Sequence, residues 1–105
     1  MKTSISQEVA KTVIETWRSE DGTSWYRKWS DGWIEQGGYL SPSQSIINFP
    51  IGFSNIYYSI TKNIGSSQSN NPKDSNIGFY NLTQTSASTT GANVYTFASY
   101  YACGY

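Results

Sequence analysis

The stretch Trp25-Tyr26-Arg27-Lys28-Trp29-Ser30-Asp31-Gly32-Trp33-Ile34-Glu35-Gln36-Gly37-Gly38 decides how this 105-residue chain is read. Asp31-Gly32 sits between two strand-like runs, 24–30 and 33–40. An Asp-Gly pair in that setting signals a β-hairpin, because a type I′ turn needs positive φ at both central residues. A two-residue loop pairs Ser30 with Trp33, Trp29 with Ile34, Lys28 with Glu35 and Arg27 with Gln36. That register joins opposite charges and two apolar groups, each pair worth a few tenths to about 1 kcal/mol. It places Trp25, Arg27, Trp29, Ile34 and Gln36 on one face, and Tyr26, Lys28, Trp33 and Glu35 on the other. One small core cannot cover both, so one face is expected to meet another subunit or a ligand.

Working outward, 45–53 is rich in Ile and Phe, with Pro50 demoting part of it to an edge or a bulge. Residues 56–61 alternate, 77–84 continue the pattern, and 94–105 end in Tyr100-Tyr101-Ala102-Cys103-Gly104-Tyr105. An ending so aromatic is expected to tuck into the fold or an interface. Residues 65–76 and 85–93 carry many turn formers and almost no large apolar side chain, and so read as surface loops. Upstream, Ile5, Val9, Val13, Ile14 and Trp17 recur at helix-like spacings, pointing to a short helix or a stalk segment. Charges are frequent up to Glu35 and rare after it. The expected architecture is therefore all-β: a lead-in over 1–23 and an antiparallel β-sandwich over 24–105.

Seven basic and seven acidic residues cancel, so there is no electrostatic case for nucleic acid or an anionic membrane. Charged residues are 13% of the chain, about half the usual share of roughly 25%. Hydroxyl and amide groups must supply the surface polarity, which suits uncharged polar ligands and close self-association. No apolar run approaches the roughly 20 residues of a membrane span. The N-terminal stretch lacks the apolar core of a signal peptide, so synthesis in a cytoplasm is expected.

The chain has no histidine, which removes Ser-His-Asp and Cys-His mechanisms and histidine-based metal sites. Cys103, the only cysteine, reads as a buried structural thiol. A glycosidase needs two carboxylates flanking one bond at about 5–9.5 Å. Only Glu35 with Asp74 or Asp21 could supply them, and nothing in their spacing favours it. No catalytic residue, metal or cofactor is expected. The aromatics remain. Trp17, Trp25, Trp29 and Trp33 crowd together, and indoles can carry the C–H face of a sugar while Asn, Gln and Asp take its hydroxyls. The alternative is that they build core and interface. Trp33, Tyr57, Asn70, Asn71, Lys73 and Asp74 are the candidate ligand residues. Trp25, Trp29, Tyr100 and Tyr105 are the candidate subunit contacts.

The quoted hairpin resembles the one that opens C-terminal tip domains of bacteriophage tail fibres: an aromatic or basic strand, an Asn/Asp/Ser-Gly turn, an aliphatic pair, then Gln and Gly. The final six residues resemble the aromatic-aliphatic-Ala-aliphatic-Gly-Tyr ending of the same proteins, and Phe49-Pro50 and Tyr57-Tyr58 also fit. Trp33 stands where an aliphatic residue is commoner, and Tyr100 and Cys103 where Trp and Ile are. The resemblance spans 24–105 and implies a lectin-like β-sandwich at the distal end of a homotrimeric fibre in a virion. Such a domain adsorbs to a host surface glycan or another receptor without cofactor or catalysis. A trimerisation cap or adaptor that binds no receptor, or a polysaccharide depolymerase, are the competing readings.

Overall fold

A computed structural model describes residues 10–41, 44–65, 78–90 and 97–105. Eight strands run in chain order: β1 Val13–Arg18, β2 Ser24–Trp29, β3 Ile34–Leu40, β4 Ile46–Asn48, β5 Ser59–Gly65, β6 Phe79–Tyr80, β7 Ser86–Thr89 and β8 Phe97–Gly104. A five-stranded sheet has the order β1-β2-β3-β8-β5, and a three-stranded sheet the order β4-β7-β6. Every pairing is antiparallel, and the two sheets form a sandwich.

The hairpin forms at Asp31-Gly32, but with a different turn. The Gly32 N–H donates to the Trp29 carbonyl and the Trp29 N–H to the Trp33 carbonyl. Within this loop only Gly32 has positive φ, at 94°, whereas a type I′ turn would need it at Asp31 too. The loop is thus the three-residue kind, a tight turn closed by a glycine bulge. Asp31 is held out of the left-handed region by its own side chain, whose Oδ1 accepts the Trp33 N–H at 3.0 Å.

The extra residue moves the register by one. Arg27 pairs with Glu35, Tyr26 with Gln36 and Lys28 with Ile34. A one-residue shift exchanges faces along a whole strand, and the faces expected above are corrected accordingly. Trp25, Arg27, Trp29, Glu35 and Gly37 share the outer face of the sheet, while Ile34 and Gln36 turn into the sandwich.

The core follows from that register. Ile34, Leu40, Ala98, Tyr100 and Ala102 of the large sheet meet Ile47 and Ala87 of the small one, with Phe49, Phe53 and Tyr58 between them. The Phe49 ring stands edge-on to Phe53 and to Tyr58, at 5.3 and 5.2 Å, and Phe53 stacks on Tyr58 at 4.4 Å. Burying each of these side chains contributes roughly 1.5–3 kcal/mol. Polar ties cross the layers as well. The Tyr58 hydroxyl lies 2.8 and 3.1 Å from the Thr83 and Ser86 carbonyls. The Lys62 ammonium donates to Thr89 Oγ1 and the Thr90 carbonyl, both at 2.7 Å.

Gln36 is the most completely buried polar side chain of the large sheet, at 0% exposure. Its Nε2 donates to the Ile51 carbonyl at 2.8 Å, and its Oε1 accepts the Ile51 N–H at 3.0 Å. The amide thereby stands in for a strand, satisfying a backbone segment that Pro50 keeps out of regular pairing.

Three further expectations are corrected. Residues 13–18 form β1, not a helix, and pair with β2, so the lead-in and the body share one sheet; Ile5 and Val9 lie outside the described residues. β-Branched Val13, Ile14 and Thr16 fit a pleated surface better than a helix. Within the expected loop 85–93, residues 86–89 form β7, the central strand of the small sheet. Its small side chains pack close beneath the aromatic core, with Ala87 fully buried. Cys103 is half-buried on the outer face, not enclosed in the core.

Candidate functional site

The outer face of the large sheet is organised around Glu35. Its Oε1 accepts the Arg27 Nε–H at 2.5 Å and the Trp29 indole N–H at 2.9 Å, while Oε2 accepts the Tyr101 hydroxyl at 2.9 Å. The Arg27 guanidinium lies 5.9 Å from the Trp25 ring centre and 6.0 Å from that of Trp29, within cation–π range of both. The register makes this cluster: Trp25, Arg27 and Trp29 alternate along β2, and Glu35 stands beside Arg27 on β3. Burial by itself would raise the Glu35 pKa. Hydrogen bonds from Trp29, Arg27 and Tyr101 and the Arg27 charge outweigh it and hold the carboxyl below its ordinary value. Tyr101 is pushed up to about 12, first by burial and then by the Glu35 carboxylate that its hydroxyl serves.

Trp25 owes its position to Gly37. A Cβ at 37 would stand 2.6 Å from the Tyr100 carbonyl oxygen and 3.0 Å from the Trp25 indole nitrogen. Without one, the indole lies close against β3 and within 6.0 Å of the Tyr101 ring. Across the sheet, Gly37, Tyr101 and Thr61 are neighbours, and so are Tyr39, Ser99 and Asn63 in the adjacent row. Shallow hollows of about 270 and 240 Å³ flank this area. Trp25, Tyr39 and Arg18 border the first, Thr61 and Asn63 the second, and both share Ser99. Sequence reasoning missed Ser99, Asn63, Thr61 and Tyr39. Their signal was the alternation Ser99-Tyr101-Cys103 in β8, which acquires meaning only once its neighbours across the sheet are known.

A second cluster forms at the turn end. The Trp33 ring stands edge-on to Tyr105 at 5.1 Å. The Asp31 carboxylate pairs with Lys11 at 3.2 Å and accepts the Tyr105 hydroxyl at 3.3 Å. The Ser54 N–H and hydroxyl both donate to the Tyr105 carbonyl. A hollow of about 420 Å³ opens beside Lys28, Phe53, Ser54 and Tyr105. Tyr57, just before β5, is 86% exposed. The structure therefore brings Trp33, Tyr57 and Tyr105 to one end of the sheet, while β5 finishes at the other. Asn70, Asn71, Lys73 and Asp74 lie outside the described residues.

Of the candidate subunit contacts, Trp25 and Trp29 lie half-buried on the outer face and Tyr105 is exposed at the turn end. Tyr100 is different. It is 7% exposed and packs toward Phe49 within this subunit's own core, so its ring is not a surface contact. Burial pushes its hydroxyl up to about 12.

The carboxylates offer little for acid–base chemistry. Glu35 is held ionised with both oxygens engaged, a poor state for a general acid. Asp21 is exposed, and hydrogen bonds from Ser19 and Thr23 hold its pKa low. Among the described residues no group of three or more His, Cys, Asp or Glu could hold a metal ion, and no helix is long and apolar enough to cross a membrane.

The fold can be compared with known ones. The chain superposes on an N-truncated R2-type pyocin tail fibre with a TM-score of 0.61 and 25% identity, over 96% of its length. This is the fold of a tail-fibre domain. A C-terminal fragment of the P. aeruginosa R2 pyocin fibre matches over 100% of the chain, with a TM-score of 0.62 and 24% identity. The chain spans 40% and 30% of the lengths of these two fibre fragments. No protein-family model matches the chain, and no curated protein matches it. The tail-fibre likeness covers the quoted hairpin, the sandwich and the aromatic C-terminal strand together, the span on which the sequence resemblance was drawn.

Proposed function

We propose that the chain is a non-enzymatic host-recognition domain at the distal end of a phage or phage-like tail fibre. It acts as a homotrimer and binds a cell-surface polysaccharide or another receptor. The observation that carries the reading is the match to pyocin tail-fibre structures over essentially the whole chain. The surface agrees with it: low charge, exposed aromatics and polar, uncharged side chains between them. Self-association is supported by β1, all six of whose residues are exposed, Val13, Ile14 and Trp17 among them. β1 is an edge strand of the large sheet, with one side unpaired, and a neighbouring copy would cover it.

The same exposed strand favours a second reading, a trimerisation cap that binds no receptor. Sedimentation and cell adsorption separate the two. A trimer that adsorbs to a host strain is the expected result. A trimer that adsorbs to none of a broad bacterial panel supports the cap, and a compact monomer refutes both. Replacing residues 66–76 with a short Gly-Ser loop tests whether Asn70, Asn71, Lys73 and Asp74 make the contact. Undiminished adsorption would place it elsewhere.

A further inference from the structure

Two kinds of surface lie side by side on the outer face. One is a rigid aromatic platform whose charges are already matched: Arg27 by Glu35, with Trp29 and Tyr101 donating to the same carboxylate. The other is a row of polar groups with nothing to bind. Among the described residues, the side chains of Tyr39, Thr61, Asn63 and Ser99 and the Trp25 indole N–H make no hydrogen bond within the chain. The platform and the row meet where Trp25 lies over Gly37 beside the first hollow, and Ser99 borders both hollows.

We infer that this face binds an uncharged pyranose residue of a polysaccharide, with the sugar's C–H face on Trp25 and its hydroxyls on Ser99, Asn63 and Tyr39. The inference rests on the recognition function proposed above and places the contact on the sheet face. Three arguments select the occupant. A second copy closing over the row would strand an amide, several hydroxyls and an indole N–H away from water, which protein interfaces avoid at their centres. A sugar ring satisfies those groups with its own hydroxyls and leaves apolar C–H bonds for the indole. A phosphate or polyanion would need several free cations. Among the described residues, Arg27 is matched by Glu35, the Lys62 ammonium is held by Thr89 and Thr90, and the Arg18 guanidinium donates to the Gly22 carbonyl, so the face offers no cluster of free cations. Trp25 is held by Gly37, Arg27 and Tyr101 before any ligand arrives, so little side-chain freedom is lost on binding.

The test is a titration of the full chain, followed by two-dimensional NMR of backbone amides and indole N–H groups. The probes are maltotetraose, isomaltotetraose, mannotetraose and chitotetraose, with tetragalacturonate and inorganic phosphate as charged controls. At least one neutral probe is expected to shift the Trp25 indole N–H together with the amides of Gly37, Asn63, Ser99 and Tyr101. Trp25→Ala should weaken that binding at least tenfold. Asn63→Ala and Ser99→Ala, surface changes that leave the core intact, should each weaken it several-fold, and Tyr80→Ala, an exposed position on the small sheet, should not change it. The inference is overturned if no neutral probe moves those resonances, or if tetragalacturonate binds more tightly than every neutral probe. It is equally overturned if the shifts follow protein concentration alone, which would make the face a contact between copies. Cell adsorption keeps this result distinct from the broader function. An unmodified chain that adsorbs to nothing refutes host recognition itself, whereas adsorption undiminished by Trp25→Ala refutes only this site.

Discussion

Replacing Gln36 tests whether one buried amide holds the aromatic segment around Ile51 in place. In Gln36→Leu, the Ile51 N–H and carbonyl both lose their partners. A buried backbone group left unpaired costs about 1–3 kcal/mol; Ile51 is only half-buried, which argues for the lower part of that range, about 3 kcal/mol for the two. Leucine adds apolar burial worth about 1 kcal/mol beyond the glutamine stem. The net expectation is a loss of roughly 2 kcal/mol, or about 8–16 °C in melting temperature for a domain of this size. Gln36→Glu sharpens the test. Its protonated carboxyl can donate to the Ile51 carbonyl and accept the Ile51 N–H, as the amide does, whereas the ionised form is a buried charge with no donor to offer. Burial raises the folded-state pKa of such a carboxyl. Its stability should therefore be near wild type at low pH and be lost as pH rises through that value. Urea unfolding followed by tryptophan fluorescence, at matched protomer concentration, measures both variants. A Gln36→Leu loss below about 0.5 kcal/mol, or a Gln36→Glu variant whose deficit is the same at pH 4 and pH 8, refutes the account.

Two further expectations follow from the hairpin. The Glu35 carboxyl titrates below its ordinary value of 4.5, so its contribution to stability is complete above that pH and is lost as the pH falls through the depressed folded value. Unfolding measured from pH 6 downward should show a shallower acid loss in Glu35→Gln than in the wild type, and parallel curves would contradict the assigned network. Gly32 holds φ at 94° with open space around its α-carbon, the nearest atom to an added Cβ being a Tyr105 ring carbon at 3.7 Å. Gly32→Ala should thus cost about 1–2 kcal/mol through backbone strain alone, read as a lower thermal midpoint with adsorption intact; an unchanged midpoint would mean the turn relaxes to another type.

The parts of this protein that were legible in its sequence are those fixed by local chemistry. Asp31-Gly32 demands a reversal of the chain, and the aromatic, β-branched runs on either side of it fit a pleated surface. Low charge and the absence of histidine limited the chemistry before any coordinate was needed. Elsewhere the local signal was ambiguous. Val13 and Trp17 fit a helix as well as a strand by spacing, and pairing with β2 settled the matter. Ser86, Ala87, Ser88 and Thr89 look like loop in isolation; they form a strand because β4 and β6 pair with them on either side.

By itself the sequence determined that the chain reverses at Asp31-Gly32 and that it is all-β. What only the tertiary structure decided was which side of each strand faces inward. Both turn types satisfy an Asp-Gly pair, yet they differ by one residue, and in a sheet with a side-chain period of two that residue decides everything on either face. It sends Gln36 into the core to serve Ile51 and brings Glu35 out to Arg27, Trp29 and Tyr101. The preference arises because Asp31 binds the Trp33 N–H with its own carboxylate and leaves the positive φ to Gly32 alone. The outer face, and with it the candidate sugar site, exists through that choice of turn.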